Sequence, residues 1–512
     1  MLDLFKRRPI LAVLLIACFT AFIFQGSRGL WETTEGRYSL CAKEMLESGN
    51  WLEPTLFGEH HWTKPPLAYW LMAAGMKIFG ENPWGLRFFS SLAFALTALL
   101  AFDIGRRLWD EKTGLLCGLV YATCPLAIGV ANTVNTDTTL AFFMGAAIWA
   151  YVGALTTSQQ RSGAWSFAFW ILLGLAFLTK GPPALLVLFV PVLMHFFSEC
   201  RPKAGFWNLS AILLGLVVAC SWFTIVLIKN SDLVIKSDGV VYHGLLSYYW
   251  NNEIVGRIVT GHHKRNNEWY GAFALYLPLF IAGMGLWAWP QWRFFIRRRL
   301  WSLASWKTQL KTPVAVLFAA WIIPATAVFF LSSSRLPNYI LPLFLPLALI
   351  VGHELAGSTQ LCRPLLIRGI VAGSIALTVL GKLVSSGDFP NVFSNPKRDM
   401  AQLYKLVAEW DKSSDLIFCL YEQEGNMGFD FYARAPVIRA FKKPGTKVEK
   451  YTAYTLENAL KLWQADPSRQ ELVLVFQGKR RKDVDTVLVQ FGLIPADEVA
   501  NALWTCLLLR KP

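Results

Sequence analysis

The stretch NLSAILLGLVVACSWFTIVLI, residues 208–228, contains no charged side chain. A helix needs about 20 mostly apolar residues to cross the hydrocarbon core of a bilayer. Similar blocks recur along the chain of 512 residues, which is 54% hydrophobic and only 16% charged. A soluble domain carries about 25% charged residues. The sequence therefore predicts a multi-span α-helical membrane protein and excludes a purely soluble, disordered or fibrous chain.

Eleven apolar segments meet or approach the length of a membrane span. They are 10–25, 86–104, 114–129, 137–154, 165–179, 183–198, 208–228, 270–288, 313–331, 337–354 and 369–384. A further segment, 67–79, is amphipathic, which favours a helix that lies at the membrane interface.

The distribution of basic residues predicts which loops face the cytoplasm. Lys and Arg are roughly twice as dense in alternate loops, as the positive-inside rule expects. The segment 291–311 has several basic residues and no acid, and Lys6, Arg7 and Arg8 precede the first span. These features predict a cytoplasmic N-terminus and, with eleven spans, a C-terminus outside. Topology also accounts for much of the net charge of +15, so no nucleic-acid partner is expected.

The composition changes near residue 390, where short apolar runs alternate with helical patterns. The predicted strands are LIFCLY (416–421), PVIRAF (436–441), ELVLVF (471–476) and LWTCLLL (503–509). This alternation is typical of a small α/β domain. We therefore predict a transmembrane catalytic domain over 1–388, with a long first outer loop at 26–85, and an outer α/β domain over 389–512. Cys419 and Cys506 lie in two of the strands, either as a disulfide or as two free thiols.

The nine cysteines show no paired C-x-x-C spacing, and no metal finger is predicted. The pairs His60-His61 and His262-His263 suggest a metal site at first sight. Adjacent histidines on a helix point to different faces and rarely bind one ion together. No metal site is assigned, and a divalent metal is possible without being required by the sequence.

The ionisable residues of the outer loops and span ends converge on one face of the membrane. They are Glu32, Glu35 and Arg37 in WETTEGRY (31–38), Lys64 in HWTKPPL (61–67), Asp137 at the start of the fourth span, Lys180 in TKGPP, Glu253, Arg257, His262, His263, Lys264 and Arg265 in the loop 229–269, and Arg335 and Tyr339 in SSSRLPNY (332–339). Such residues are costly in a membrane and are usually functional.

This set of residues is suited to the chemistry of a phosphate group. Fixed Lys and Arg side chains can hold a phosphate, and a carboxylate beside them can act as a general base. Each residue also has a simpler interpretation. Lys64 and Lys180 would serve as headgroup anchors, and Glu32 and Glu35 as solvated loop charges. The convergence of several such residues favours a site.

The motifs also resemble a known family. WETTEGRY, KEMLESGNW and HWTKPPLAYWL resemble the first outer loop of the aminoarabinose transferase family, membrane glycosyltransferases of GT-C architecture that are related to protein O-mannosyltransferases. TDTTLAFF, LTKGPP, YYWNNEIVGRI and SSSRLPNYILPLFLPLAL fit the same family in the same order. The resemblance covers roughly residues 10–360.

The resemblance implies transfer of a sugar from a polyprenyl-phosphate donor to lipid A or another envelope glycolipid or glycan, at the outer face of the bacterial inner membrane. It implies that Lys64 binds the lipid phosphate. Asp137, Lys180, Arg257 and Tyr339 would line the same cavity, with Arg335 as a further phosphate contact. A monomer without a required cofactor is expected.

Two departures from the family pattern affect these roles. The family usually has Asp-Glu where this chain has Thr34-Glu35, and often Glu where it has Thr63. Glu35 is therefore our first candidate for the catalytic carboxylate, Asp137 the second and Glu32 the third.

Two other functions stay open. One is a protein O-mannosyltransferase-like enzyme. The other is a lipid-linked sugar transporter or flippase, which is disfavoured because a transporter should bury charges near the midplane of the membrane. Here the centres of the predicted spans are nearly free of charge.

Overall fold

The structure is a computed structural model, and it describes most of the chain. The described residues are 8–32, 34–157, 162–200, 204–237, 240–251, 266, 268–299, 302, 304–305, 310–386, 399–423, 425–442 and 453–511.

Helices make up the first three quarters of the chain, up to residue 386. They are α1 Pro9–Phe22, α2 Thr34–Ser48, α3 Leu67–Phe79, α4 Pro83–Leu108, α5 Glu111–Ala122, α6 Pro125–Ala131, α7 Asp137–Thr156, α8 Ser162–Lys180, α9 Phe189–Phe197, α10 Leu209–Lys229, α11 Leu245–Tyr248, α12 Gly271–Ala282, α13 Ala288–Arg297, α14 Pro313–Leu331, α15 Phe344–Ala356 and α16 Pro364–Ser385. Short 3-10 turns cover Pro182–Leu188, Ala204–Trp207, Gly285–Trp287 and Pro337–Leu343.

Every one of the eleven predicted segments is helical, and the predicted interfacial helix is α3. By length and composition, seven of the described helices could cross a bilayer, or nine if each of two bent pairs is one span. The bends are 55° between α5 and α6 and 94° between α12 and the helix over Gly285–Arg297. The first bend follows from Pro125, which cannot donate the backbone hydrogen bond of a continuous helix. The other two segments form shorter apolar helices, α1 and Pro182–Phe197.

Small residues bring the central helices of the membrane part into close contact. A Cβ atom added at Gly352 of α15 would lie 2.5 Å from the sulfur of Cys117 in α5. A Cβ atom at Gly114 of α5 would lie 2.5 Å from the carbonyl oxygen of Phe102 in α4. Because apolar lipid provides no hydrophobic force between helices, such close backbone packing is what holds them together.

The first outer loop is largely ordered structure. It contains α2, a hairpin of strands β1 (Thr55–Leu56) and β2 (Glu59–His60), and α3. Leu40 and Met45 of α2 pack with Met72 and Met76 of α3 in one buried apolar cluster. The loop therefore forms a fixed layer over the ends of the membrane helices.

The C-terminal part is an α/β domain whose sheet matches the predicted pattern. Strands β3 Val234–Ser237 and β4 Val240–His243 form a separate hairpin, and the domain contains β5 Leu416–Tyr421, β6 Val437–Phe441, β7 Ala453–Thr455, β8 Glu471–Gln477, β9 Asp497–Ala500 and β10 Trp504–Arg510. The order across the sheet is β7-β6-β5-β8-β10-β9, with β10 antiparallel to both neighbours and the other pairs parallel. The helices of the domain are α17 Met400–Lys405, α18 Met427–Tyr432, α19 Leu456–Ala465 and α20 Arg481–Gln490.

Cys419 and Cys506 are both free and buried. Cys419 faces the apolar layer of α19 and α20, whereas Cys506 faces the layer of α17 and α18. Since β8 also separates their strands, the two thiols cannot form the disulfide that the sequence left open.

The α/β domain packs directly on the first outer loop. The Leu30 carbonyl accepts from Met400 N–H at 3.1 Å, and Leu30 N–H donates to the Tyr432 hydroxyl at 3.0 Å. The ammonium of Lys43 in α2 donates to three carbonyls at the end of α18, those of residues 430, 431 and 433. A cation is favourable at this helix end, and these contacts fix α2 between the two parts.

Candidate active site

Four side chains from three separate segments meet at the ends of the membrane helices. Asp137 is the first residue of α7 and is only 4% exposed. Its carboxylate forms an ion pair with Lys180, the last residue of α8, and accepts a hydrogen bond from the side-chain amide of Asn338. The ring of Tyr339 lies beneath the Lys180 ammonium, 4.4 Å from nitrogen to centroid. We call Asp137, Lys180, Asn338 and Tyr339 the Asp137 cluster.

The local sequence explains why these residues occupy helix ends. The side-chain oxygen of Asn135 accepts from the N–H groups of Asp137 and Thr138 at 2.7 and 2.9 Å, which caps the start of α7. Gly181, with φ of +77°, ends α8 directly after Lys180 in a conformation that favours glycine. Pro337 starts the 3-10 turn that carries Asn338 and Tyr339.

Tyr38 of α2 joins this cluster from the outer loop. Burial raises the pKa of the Tyr38 hydroxyl; the Lys180 ammonium opposes this, and the Asp137 carboxylate adds to it. The ring of Tyr38 also meets that of Tyr69 edge-on at 5.7 Å. The Tyr38 hydroxyl of the first outer loop therefore lies within electrostatic range of the Asp137 cluster.

A second charged cluster lies nearby and is fully enclosed by protein. Glu35 Oε2 accepts from Arg28 Nη1 at 2.7 Å and from Trp31 N–H at 2.8 Å. Its Oε1 accepts from Arg87 Nη2 at 3.0 Å and from Val134 N–H at 2.8 Å, with further contacts from Arg28 Nη2 and Arg87 Nε. We call Arg28, Glu35 and Arg87 the Glu35 cluster.

The surroundings of Glu35 oppose its protonation. Burial alone would raise the pKa of Glu35, but the Arg28 and Arg87 guanidiniums outweigh it and lower the pKa to about 2. A carboxylate offers about four lone-pair sites, and those of Glu35 are all used. A substrate could reach this carboxylate only by displacing a protein donor.

Glu32 faces the α/β domain and not the Asp137 cluster. One of its carboxylate oxygens accepts from Gly428 N–H at the start of α18, and the other is buried without a hydrogen-bond partner among the described residues. Burial raises the pKa of Glu32 to about 8, although the hydrogen bonds from Gly428 and Met427 oppose the change. Glu32 therefore belongs to the contact between the loop and the domain.

Lys64 is half-buried in the segment between Trp62 and α3. Trp62 and Leu67, on either side of it, pack in one cluster with Leu178, two residues before Lys180. The preceding Thr63 hydroxyl lies 2.9 Å from the ring nitrogen of His61. The packing thus brings the Lys-Pro-Pro segment to the end of α8, where the Asp137 cluster lies.

Arg335 uses its guanidinium within the protein. It donates to the carbonyl oxygens of Asn266 at 2.5 Å, Glu268 at 3.0 Å and Phe330 at 3.2 Å. These bonds tie the end of α14 to the start of α12. Arg257, like the other basic residues predicted in 252–265, lies outside the described residues.

Three residues of the two clusters were missed by the sequence analysis. Arg87 sits in the first turn of a predicted span, where an ionisable residue is itself a signal. Asn338 is the neighbour of Tyr339 in SSSRLPNY, and an amide gives no comparable signal. Arg28 lies three residues before Trp31 in a stretch that has no regular pattern.

Among the described residues, no group of three or more His, Cys, Asp and Glu side chains is arranged to hold a metal ion. The Asp137 cluster instead contains its own cation, Lys180.

Comparison with known proteins supports the resemblance seen in the motifs. The chain is 32% identical over 386 residues to the "undecaprenyl phosphate-alpha-4-amino-4-deoxy-L-arabinose arabinosyl transferase" of Pseudomonas aeruginosa (strain UCBPP-PA14). This match covers 73% of the chain and 65% of that protein. A Pseudomonas fluorescens (strain Pf0-1) protein of the same name, numbered 2, is 31% identical over 74% of the chain and 66% of its own length. The chain is a relative of the aminoarabinose transferases. It spans slightly less than two thirds of the length of these relatives.

A family model and solved structures also match this chain. The family model described as "dolichyl-phosphate-mannose-protein mannosyltransferase" matches residues 63–228. The crystal structure of ArnT from Cupriavidus metallidurans bound to undecaprenyl phosphate covers 98% of the chain and 97% of its own length, with a TM-score of 0.71 at 18% identity. The oligosaccharyltransferase of Archaeoglobus fulgidus covers 94% of the chain and 69% of its own, with a TM-score of 0.54 at 13% identity. The predicted GT-C fold of a multi-span membrane protein is confirmed.

Proposed function

We propose that the chain is a glycosyltransferase that moves a sugar from a polyprenyl-phosphate donor to an acceptor, lipid A or another envelope glycolipid or glycan. The observation that carries the proposal is the Asp137 cluster: a buried carboxylate and ammonium that meet at helix ends, beneath an ordered loop. Relatives named for undecaprenyl-phosphate aminoarabinose and a neighbour bound to undecaprenyl phosphate support this donor class.

The leaving group of such a donor is a lipid phosphate, which needs cations. We assign the main contact to Lys64, on the half-buried Lys-Pro-Pro segment, with help from Lys180 and Arg257. Arg335 contributes less, because its guanidinium is already engaged with three carbonyl oxygens. Tyr339 supports Lys180 through its ring face.

For the catalytic carboxylate we favour Asp137 over Glu35 and Glu32. Asp137 has two side-chain partners and keeps lone pairs for an acceptor hydroxyl or amine. Glu35, the first choice from the sequence, has every lone pair occupied and a pKa of about 2. Glu32 is directed at Gly428 of the α/β domain. In the proposed step the acceptor oxygen or nitrogen attacks the anomeric carbon, the bond to phosphate breaks, and Asp137 takes the acceptor proton.

We further propose that the protein is a monomer of the bacterial inner membrane, with the Asp137 cluster and the α/β domain in the periplasm. The basic segment 291–311 supports this orientation. Reporter fusions after Arg299 and after Lys412 should report opposite sides of the membrane. Two fusions on the same side would refute the orientation.

The proposed activity can be tested with the purified full-length chain in lipid vesicles. Undecaprenyl-phosphate sugars and lipid A are supplied, and mass spectrometry detects the glycosylated product. Lys64→Ala should abolish donor turnover, whereas Lys77→Ala, an exposed lysine of the same outer loop, should leave it unchanged. Folded wild-type protein that transfers no sugar from any polyprenyl phosphate would refute the proposal. The glycolipids of a deletion strain would identify the natural acceptor.

A second candidate is sugar transfer to protein Ser or Thr. The mannosyltransferase family model, which matches residues 63–228, is the observation in its favour. Transfer to a Ser/Thr peptide, but not to lipid A, in the same vesicles would replace the first proposal with this one.

A further inference from the structure

Glu35 connects the first outer loop to the short turn that precedes Asp137. Its Oε1 accepts from Val134 N–H at 2.8 Å, across 99 residues of sequence. Arg28, the ion-pair partner of Glu35, donates to the carbonyl of Asn132 at 3.1 Å in the same turn. The Glu35 cluster therefore fixes the turn 132–134 through hydrogen bonds to two of its backbone groups.

The side chain of Asn135 connects this turn to Asp137. The amide nitrogen of Asn135 donates to the carbonyls of Val130 at 2.7 Å and Thr133 at 2.8 Å. Its amide oxygen accepts from Asp137 N–H at 2.7 Å. The bonds to Val130 and from Asp137 are buried and the bond to Thr133 is partly buried, so each fixes its partners more firmly than in water.

The Glu35 cluster is itself anchored on every side. Arg87 is fully buried and also donates to the carbonyls of Gln25, Arg28 and Gly29, at 3.0, 2.8 and 2.9 Å. The Arg28 guanidinium lies 4.2 Å above the ring of Trp31. A carboxylate with so many fixed donors is rigid, and rigidity is what a support for a reacting group requires.

We propose that Glu35 is a positioning residue that sets the orientation of the Asp137 carboxylate through Val134 and Asn135. This inference rests on the proposed role of Asp137 as the base. Glu35 itself does not touch the substrate. A shift of about 1 Å at a reacting group can cost about 10²-fold in rate.

The test is Glu35→Asp, which keeps the negative charge beside Arg87 but withdraws the carboxylate by one methylene. With undecaprenyl-phosphate aminoarabinose as the probe donor, kcat should fall by about 10²-fold while the donor KM changes little. In an Asp137→Asn background the same substitution should cause no further loss. The acid limb of the kcat–pH profile should be displaced in Glu35→Asp and absent in Asp137→Asn. The proposal would be overturned if the losses in kcat from the two substitutions multiply in the double variant. It would also be overturned if the acid limb persists in Asp137→Asn.

A readout without activity separates this proposal from the proposed function. Hydrogen–deuterium exchange of peptides that cover residues 130–140 should speed up in Glu35→Asp. The matched control is Glu53→Asp, because Glu53 is a buried carboxylate of the same outer loop that binds Lys229 and Asn230 instead. Wild-type protein without transfer activity would refute the function alone. Unchanged exchange over 130–140 would refute the positioning role whatever the activity.

Discussion

The Asp137 and Glu35 clusters both contain buried ion pairs at the same end of the membrane helices. Their carboxylates differ in the number of hydrogen bonds that they accept. The Glu35 carboxylate receives six hydrogen bonds from four residues, and the guanidinium of Arg87 is also bonded to three carbonyls. Among the described residues, the Asp137 carboxylate receives two, from Lys180 and Asn338. A carboxylate whose lone pairs are all used by protein donors has no acceptor site left for a substrate proton. A carboxylate with fewer hydrogen bonds still has such a site. The number of hydrogen bonds that each carboxylate accepts thus separates Asp137 from Glu35, which the sequence analysis ranked first.

The largest expected effect is on the Asp137 cluster. Asp137→Asn should lower kcat by about 10²–10⁴-fold, because a general base contributes about that much, in addition to the loss of stability from leaving the buried Lys180 ammonium without its counter-charge. Transfer assays on equal amounts of folded protein measure this. Asp103→Asn is the control, since Asp103 is a carboxylate paired with Arg106 and Arg107 at the other end of α4. Retention of kcat within about twofold would remove Asp137 from the reaction.

Substitution within the Glu35 cluster should lower the stability of the folded protein. Arg87→Met leaves Glu35 with a single cation and several buried carbonyls without a donor, which should cost about 3–5 kcal/mol of unfolding free energy. Thermal unfolding in detergent checks this against Arg106→Met, whose exposed ion pair is worth about 1 kcal/mol or less. Equal melting temperatures for the two variants would contradict the contrast between the clusters.

A smaller effect is expected at Asn338. Asn338→Ala removes one of the two donors to Asp137 and should lower kcat by about tenfold, as a hydrogen bond to a charged group is worth about 1.5–3 kcal/mol. Asn208→Ala, which removes only the cap of α10, is the control. A kcat equal to wild type would show that the Asn338 amide does not contribute to the orientation of Asp137.

A further effect concerns pH. Because the pKa of Glu32 is raised from 4.5 to about 8 in the folded protein, folding favours its protonated form, and its contribution to stability falls as the pH rises from about 4.5 to about 8. The pKa of Glu35 is lowered to about 2, so its contribution is full above pH 4.5 and is lost only below it. Between pH 5 and 8 the melting temperature of Glu32→Gln should therefore decline less than that of wild type. Parallel curves would contradict the burial of Glu32 beneath α18.

The sequence by itself determined the elements with a strong local pattern. The apolar segments became helices, the amphipathic segment 67–79 became α3, and LIFCLY became β5 residue for residue. These outcomes depend on hydropathy and periodicity within a few turns, which the sequence records directly. Strands β7 and β9 and helix α18 are short and polar at their edges, and they were missed.

Only the tertiary structure decided the roles of the charged residues. Glu32 and Glu35 are three residues apart, yet one binds the α/β domain and the other two arginines. The two partners of Asp137 are distant in sequence: Lys180 is 43 residues away and Asn338 is 201 residues away. A carboxylate's chemistry depends on which donors surround it, and these donors come from chain segments that only packing brings together. For that reason the sequence could name the candidate acids, but its ranking of Glu35 before Asp137 rested on the family motif and not on the donors around each carboxylate.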